Sequence, residues 1–436
     1  MNRGEEGMAE LGTTKEGFWQ TRYSVIAMCF AATFVCYIDR VNISVAIIPM
    51  ANDYNWSLET QGYILSSFYI GYLLMQIGGG RLADTFGGKV VLGAGVLIWS
   101  LFTLVTPWAA MGGLMMLYLA RIGMGLGEAV TFPSVYSLVT RWFPAGETGK
   151  AIALNASAIP VGTVFALVVT PIIVTTLGWE WAFYLFGLVG IVWFAAWQYL
   201  VAAKPQDHPR ISAAELEFIK SNARFSEEKE GEEAPPIRTF LKSKAVWAIL
   251  VAHFCNNWTL YVILSWLPKY VNEGLGVPFG DIGYVAMLPH ITSFLFINLA
   301  GNVADRMIVS GMNVTLVRKI CQTVAFGGLA ACLLLVTTVD TVWAAIGILC
   351  LGKMFSAANM GGFNVNHMDV APRHAGTLMG ITNTAGTIPG IVGVAVTGLI
   401  LEYTGSWDLV FQVTAGVTLF GMIFYLLFAS GEKEFD

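Results

Sequence analysis

Twelve apolar stretches, each about the 20 residues that a helix needs to cross a bilayer, constrain this chain more than anything else in it. They fall near residues 23–50, 60–80, 89–108, 111–139, 149–176, 181–202, 245–271, 281–303, 315–338, 341–366, 375–401 and 407–429. Composition agrees. Of the 436 residues 56% are hydrophobic and 12% charged, against about 25% charged in soluble domains, and the mean hydropathy is +0.65. The net charge of −5 says little, because placement matters more than the sum. No basic run or basic face occurs, which excludes nucleic acid as a partner.

One long polar segment, 204–244, separates spans six and seven. It holds Pro205, Pro209, the acidic run from Glu227 to Glu233, and Pro235-Pro236. Within it Ser212-Ala-Ala-Glu215 reads as a capping box that starts a short surface helix. The chain thus divides into 1–203, a linker 204–244, and 245–436. If the N-terminus is cytoplasmic, 20 of the 24 Lys and Arg residues lie in cytoplasmic loops and tails and only Lys269 lies opposite. That asymmetry places both termini in the cytoplasm. The first 22 residues are acidic and lack an apolar core, so insertion is expected to rely on the first span.

The two halves repeat. Gly80-x-x-x-Asp84 recurs as Gly301-x-x-x-Asp305-Arg306; Pro144 and Asn155 recur as Pro372 and Asn383; Trp179-Glu180-x-x-Phe183 recurs as Trp407-Asp408-x-x-Phe411. Two similar six-helix halves are the parallel repeat of many secondary transporters, which bind cargo between the halves near the midplane.

Ionisable residues inside apolar spans are costly and mark substrate or proton paths. Here they are Asp39, Arg40, Arg121, Glu128 and Lys353, with His253 as a neutral candidate. At about 1.5 Å per residue, Arg40, Arg121 and Lys353 lie roughly 12–16 Å from the outer helix ends, with Asp39 level with them. Tyr72 lies roughly 18 Å in, and Asn256 and Asn257 about 17 Å from the inner end of span seven. Glu128 is placed deeper, at roughly 22 Å, beyond direct pairing with Arg121 and free to titrate. Such a layer suits an anion: arginine grips a carboxylate with two bonds, and lysine supplies a point charge.

Each residue also has a plainer reading. Arg40 could serve only Asp39, Arg121 could be a packing charge paired with Asp39, and Glu128 could be a fixed structural carboxylate. Lys353 reads equally as a ligand or a buried ion-pair member, and His253 as a hydrogen-bonded core residue. Tyr37 and Tyr72 are the aromatics placed for the cavity. His367 and Asp369, at the inner end of span ten, suit a gate. The six cysteines lie in apolar spans without CxxC spacing and read as packing residues, not as metal ligands or disulfides.

The Gly-Asp loops, Gly80-Arg-Leu-Ala-Asp84-Thr-Phe-Gly87-Gly88-Lys89 and its second copy, resemble the loop signature of the major facilitator superfamily, with Thr85 where a base is usual. Three stretches resemble its anion:cation symporter family: Gly127-Glu128-Ala-Val-Thr-Phe132-Pro133, then Trp247 to Thr259, then Gly362 to Arg373 continuing through Met379-Gly-Ile-Thr-Asn383. That family includes sialin, vesicular glutamate transporters, plastid anion transporters and bacterial sugar-acid transporters. The resemblance covers nearly all of residues 20–432.

It implies an all-α membrane protein of twelve transmembrane helices in two pseudo-symmetric six-helix bundles, the major facilitator fold. It further implies Arg40 as the carboxylate anchor, Asp39, Glu128 and Arg121 as proton-coupling residues, Tyr72 and Asn383 as substrate contacts, and Asp84, Lys89, Asp305 and Arg306 as loop latches. Leu65 and Asn256 stand where vesicular glutamate transporters carry His and Arg, which argues against glutamate. Lys353 has no recognised counterpart in those relatives.

The expected function is proton-coupled symport of a small organic anion by a monomer in a bacterial inner membrane, with lipid as its surroundings and no cofactor or metal beyond the driving ion, H+ or else Na+. Sodium-coupled or facilitated phosphate transport is one alternative, and an anion sensor on a transporter fold is another. No nucleophile, metal cluster or nucleotide loop occurs in a context that suits an enzyme.

Overall fold

A computed structural model describes residues 20–222, 236–372 and 374–435. The acidic run from Glu227 to Glu233 and the residues before Gln20 lie outside them. The described chain is built of helices: α1 (Thr21–Tyr54), α2 (Leu58–Phe86), α3 (Gly88–Met111), α4 (Leu114–Trp142), α5 (Ala145–Leu177) and α6 (Trp179–Leu200), then α7 (Lys244–Lys269), α8 (Phe279–Val309), α9 (Val314–Leu335), α10 (Val342–Val370), α11 (Ala375–Thr404) and α12 (Trp407–Phe428). Eleven of the candidate spans are long and apolar enough to cross a membrane. The twelfth, α2, is as long, but Gln61, Ser66, Ser67, Gln76 and three tyrosines lower its hydropathy. Those groups give it a polar face inside the protein, where α2 packs on α4 and α11.

Spans one to six pack largely on one another, as do seven to twelve. Trp99, Trp142 and Trp197 fill the first half; Trp266, Phe326 and Tyr425 fill the second. Close helix contact rests on small residues, as it does where lipid supplies no hydrophobic drive between helices. A Cβ at Gly71 would lie 1.9 Å from the Ile122 carbonyl oxygen, and one at Gly125 would lie 2.1 Å from that of Phe68. Only glycine lets α2 and α4 approach so closely, and this brings Tyr72 and Glu128 towards one centre.

Three spans break, α4 and α10 near their middles and α8 nearer its start. α4 is interrupted at Ala129–Val130, directly after Glu128. Pro133 accounts for it: it has no N–H for the Ala129 carbonyl, and its ring crowds that oxygen. α8 turns at Met287 ahead of Pro289. α10 passes through a 3-10 segment, Ala357–Gly361, between Val342–Ser356 and Phe363–Val370. Irregular backbone at membrane depth is tolerated where it is buried in protein or lines a cavity.

The linker helix forms as Ala213–Ser221, and Ser212 Oγ accepts from the Glu215 N–H at 3.1 Å. Glu215 does not close the box backwards. Its carboxylate instead accepts from the first backbone N–H groups of α1, at Thr21 (3.0 Å) and Arg22 (2.9 Å). Arg22 also bonds Glu147 at the start of α5, at 2.9 Å. The linker thereby caps α1 and ties it to α5.

The halves meet mainly at the end of the molecule away from the termini. The Leu58 N–H donates to Glu402 at 2.7 Å, and Gly62 and Gly398 face each other without side chains. Deeper in, Thr387 donates to Gln76 at 2.8 Å. At the termini end, side chains at Gly80, Gly149, Gly376 and Gly380 would meet open space. Among the described residues, α2 and α11 touch at the far end and leave the space beside Gly80, Gly376 and Gly380 unfilled at the termini end.

A Cβ at Gly398 would lie 2.7 Å from the Leu58 carbonyl oxygen. Gly398→Val is therefore expected to part the far ends of α2 and α11. Spin labels on those two ends should report a longer distance in the variant, and an unchanged distance would refute the seal.

Candidate functional site

The buried charges of the first half converge at one level. α1 runs on to Tyr54 and α4 begins at Leu114, so Arg40 and Glu128 each lie fourteen residues from the far ends of their helices. At 1.5 Å per residue both sit about 21 Å deep, as does Tyr72 on α2. This corrects the expectation that Glu128 lies below the anion layer, free to titrate. Arg40 Nη2 meets Glu128 Oε2 at 2.9 Å and Nε meets the same oxygen at 3.2 Å. Both side chains are almost fully buried, at 5% and 0% exposure. Cys36 Sγ adds a 3.2 Å contact to Oε2, while Oε1 is without a partner.

Aromatic rings enclose the guanidinium. Its carbon lies 4.8 Å from the ring centre of Tyr37, and 5.0 Å from those of Phe68 and Tyr72. A cation against ring faces gains about 0.5–2 kcal/mol per contact when desolvated. Tyr69 packs at a tilt on Tyr261 of α7, ring centres 4.5 Å apart, which carries the aromatic wall into the second half. Arg40 Nη1 has no hydrogen-bond partner among the described residues. One edge of the fork is held, and the other is available.

Asp39 and Arg121 form no ion pair. Asp39 is buried beside the Trp99 indole, yet neither carboxyl oxygen makes a hydrogen bond. Arg121 packs 5.3 Å above the Phe68 ring and points Nη1 at Met124 Sδ, 2.9 Å away.

In the second half, a cavity of about 180 Å³ opens among α7, α8 and α10. Lys353, Asn256, Asn359, Asn364, Ser293 and Thr259 supply its polar wall, and Leu260, Ile297 and Met360 its apolar one. Lys353 is 7% exposed and makes no hydrogen bond or ion pair with a described residue. A chain of amides braces the wall. The Phe363 N–H donates to Gln322, Gln322 to Asn359, Asn359 to Asn256, Asn256 to Asn257, and Asn257 to the Gly386 carbonyl, over 2.8–3.0 Å at each step. Asn383 is half-buried, with only its carbonyl bonded, to Thr387.

Sequence reading placed these residues in one layer fed by both halves. The structure sets a charged cluster in the first half and a cavity in the second. Ser293, Asn359 and Asn364 were not singled out. They are uncharged residues on broken or polar-poor helices, and only the tertiary fold brings them together. His290, also missed, lies within electrostatic reach of Lys353.

Among the gate residues, Asp369 receives a two-pronged bond from Arg318, at 2.7 and 3.1 Å, and Arg318 also donates to the Gly361 carbonyl. His367 and His253 share the Thr382 hydroxyl, at 2.8 and 3.2 Å. Asp305 and Arg306 are exposed and make no ion pair with described residues. Lys89 is half-buried, and its carbonyl accepts from Trp197. The Asp84 side chain lies outside the described part. Five of the six cysteines are buried, and all six are free thiols.

A bundle of spanning helices that breaks around buried charges at mid-membrane is the architecture of a multi-pass transporter. The Major Facilitator Superfamily matches residues 29–394. The chain is 40% identical over 422 residues to the chloroplastic ascorbate transporter of Arabidopsis thaliana, covering 96% of this chain and 77% of that one. It is 39% identical over 415 residues to the chloroplastic sodium-dependent phosphate transport protein 1 of the same plant (95% and 80%). It is 37% identical over 447 residues to human sialin (95% and 90%). Among solved structures, a bacterial homologue of the lysosomal transporter Spinster superposes with a TM-score of 0.73 at 17% identity (93% and 96% covered). The D-xylose–proton symporter superposes with 0.74 at 15% identity (94% and 99%). The chain belongs to the Major Facilitator Superfamily and, within it, to the anion:cation symporter group. It is a transporter and not an enzyme. The two plant relatives are chloroplastic by name, so the bacterial inner membrane expected from the sequence has no support in them.

Removing one member of a buried ion pair costs roughly 3–5 kcal/mol, because the other charge is stranded. Glu128→Ala is expected to destabilise by that order. Adding Arg40→Met should recover much of the loss. Unfolding of the two single variants and the double in detergent checks this, and additive losses would show that the pair is not coupled.

Proposed function

We propose that the protein is a secondary transporter that carries a small organic anion together with protons by alternating access. The observation that carries this is the half-occupied guanidinium of Arg40, held by Glu128 on one edge and free at Nη1 on the other. A substrate carboxylate that takes Nη1 and Nη2 competes directly with Glu128. Once displaced, Glu128 is a lone carboxylate in a dry, apolar site, and such a group favours its neutral form. Anion entry and proton uptake then become one event. Asp39, buried without a hydrogen bond, is a second proton acceptor in the same cluster, and Arg121 holds the local potential. Tyr37 and Tyr72 flank the anchor, while Asn256 and Lys353 line the cavity that takes the remainder of the cargo, with Asn383 of α11 as a further contact. His367 and Asp369 brace the gate at the termini end, where Lys89, Asp84, Asp305 and Arg306 form latches when that end closes.

An organic cargo is favoured over phosphate by the second-half cavity. Its wall is mainly amides, hydroxyls and aliphatic groups around a single lysine, which suits the hydroxyls and carbons of a sugar-type acid. Phosphate carried with sodium is the second reading, supported by the 39% identical relative with that name. The excess of Lys and Arg at the termini end supports an orientation with both termini on the cytoplasmic side.

Glu128→Gln keeps a neutral hydrogen-bonding group beside Arg40. In liposomes it is expected to exchange anion for anion at a rate near wild type, and to lose accumulation driven by a pH gradient. Accumulation that survives would transfer coupling to Asp39. Wild-type uptake that follows an imposed sodium gradient and ignores pH would overturn proton coupling.

A further inference from the structure

We propose that the Lys353 cavity is a second anion subsite, so that the transported molecule carries two acidic groups, one for each half of the protein. The inference rests on the reading of Arg40 as the first carboxylate anchor. Charge counting starts it. The buried cluster of the first half holds two acids, Asp39 and Glu128, and two bases, Arg40 and Arg121. It balances internally. Lys353 is an additional buried base, and no carboxylate lines its cavity. An ammonium group taken out of water without a partner is costly, so the site is complete only when an anionic group enters.

The surrounding wall is arranged to donate. In the amide chain, the Asn256 carbonyl oxygen is occupied by Asn359, and its nitrogen donates one hydrogen to Asn257. One N–H therefore remains. The Ser293 hydroxyl has no partner among the described residues and lies on the same wall. Because the chain runs in one sense from the Phe363 N–H to the Gly386 carbonyl, the Asn256 and Asn359 side chains cannot turn over singly without breaking two bonds. The donors are thus fixed before a ligand arrives, which reduces the ordering cost of binding.

The two sites are linked through α7. Leu260 of α7 lines the cavity, while the next residue, Tyr261, packs at a tilt on Tyr69 at the edge of the Arg40 cluster. One molecule of sugar-acid length that is held at both places joins the halves electrostatically. A molecule with one acidic group satisfies Arg40 and leaves Lys353 bare.

The test compares an aldarate, with a carboxylate at each end, against the corresponding aldonate, with one. Binding is measured calorimetrically on the purified full-length protein, with thermal shift as a second readout. Wild type is expected to bind the aldarate at least tenfold tighter, and K353Q should remove that preference by weakening the aldarate about tenfold, or roughly 1.4 kcal/mol. K353R should restore most of it. K353Q without ligand should melt no lower than wild type, since it strands no acid. Should K353Q not fold, N359D places a carboxylate in the cavity and must abolish the preference in the same way. Equal weakening of both acids by K353Q, or no preference in wild type, overturns the subsite. So does chloride, if it stabilises wild type but not K353Q and competes with the aldonate, because the subsite would then hold a free ion. If neither sugar acid binds while phosphate does, the Arg40 reading itself fails, an outcome distinct from binding without Lys353-dependent selectivity.

Discussion

The Arg40–Glu128 pair is the constraint around which the first half is built. Two charges of opposite sign, both withdrawn from water and lipid, need each other and need the groups around them to stay dry and rigid. Beyond the Cys36 thiol, the surroundings supply this with the faces of Tyr37, Phe68 and Tyr72. The pair also dictates helix packing. α1 must present Arg40 to the last turn of the outer segment of α4, and α2 must lie close enough to roof it. Gly71 and Gly125 meet that demand by letting the α2 and α4 backbones touch. Even the break in α4 belongs to this arrangement, since Pro133 ends the regular helix directly after Glu128.

The second half is organised on a different principle. Where the first half pairs Arg40 with Glu128, the second half links amides and leaves the buried Lys353 without a mate among the described residues. A closed ion pair resists change until a competitor of like charge arrives. A braced wall with an open cation takes in a ligand without prior rearrangement. Two such halves in series give a carrier a reason to respond to cargo, because a ligand shifts a conformational equilibrium only by its unequal affinity for the two states.

Much of this was legible in the sequence, and what was missed has identifiable causes. Apolar run length gave the spans, and the rarity of intramembrane charge singled out Arg40, Glu128 and Lys353. The Ser212 to Glu215 pattern marked a real helix start, though not that Glu215 would reach across to cap α1. Depth was the weak point. Four residues of error at the end of span one, and three at the start of span four, moved Arg40 and Glu128 apart by most of two helical turns. That was enough to hide an ion pair. Hydropathy could not locate those ends, because Asn52, Asp53 and Tyr54 still continue the helix after the apolar run has stopped. Ser293, Asn359 and Asn364 escaped for a different reason: small uncharged polar residues are common in spans, and only their convergence makes a site.

The closed far end explains how such a carrier can remain specific. Gly62 against Gly398 and the bond from Leu58 to Glu402 form a shallow seal of backbone contact, without a salt bridge to break. Small-residue packing of this kind is strong while surfaces match and is lost within an ångström or so of separation, because dispersion falls steeply with distance. It behaves as a two-position latch. The termini end instead carries its charges inside each half, in Arg22 with Glu147 and Glu215 and in Arg318 with Asp369. Those bonds keep each bundle rigid while the space between the bundles changes. Rigid halves and a seal that fits in one position are what rocking of two bundles about a central site requires.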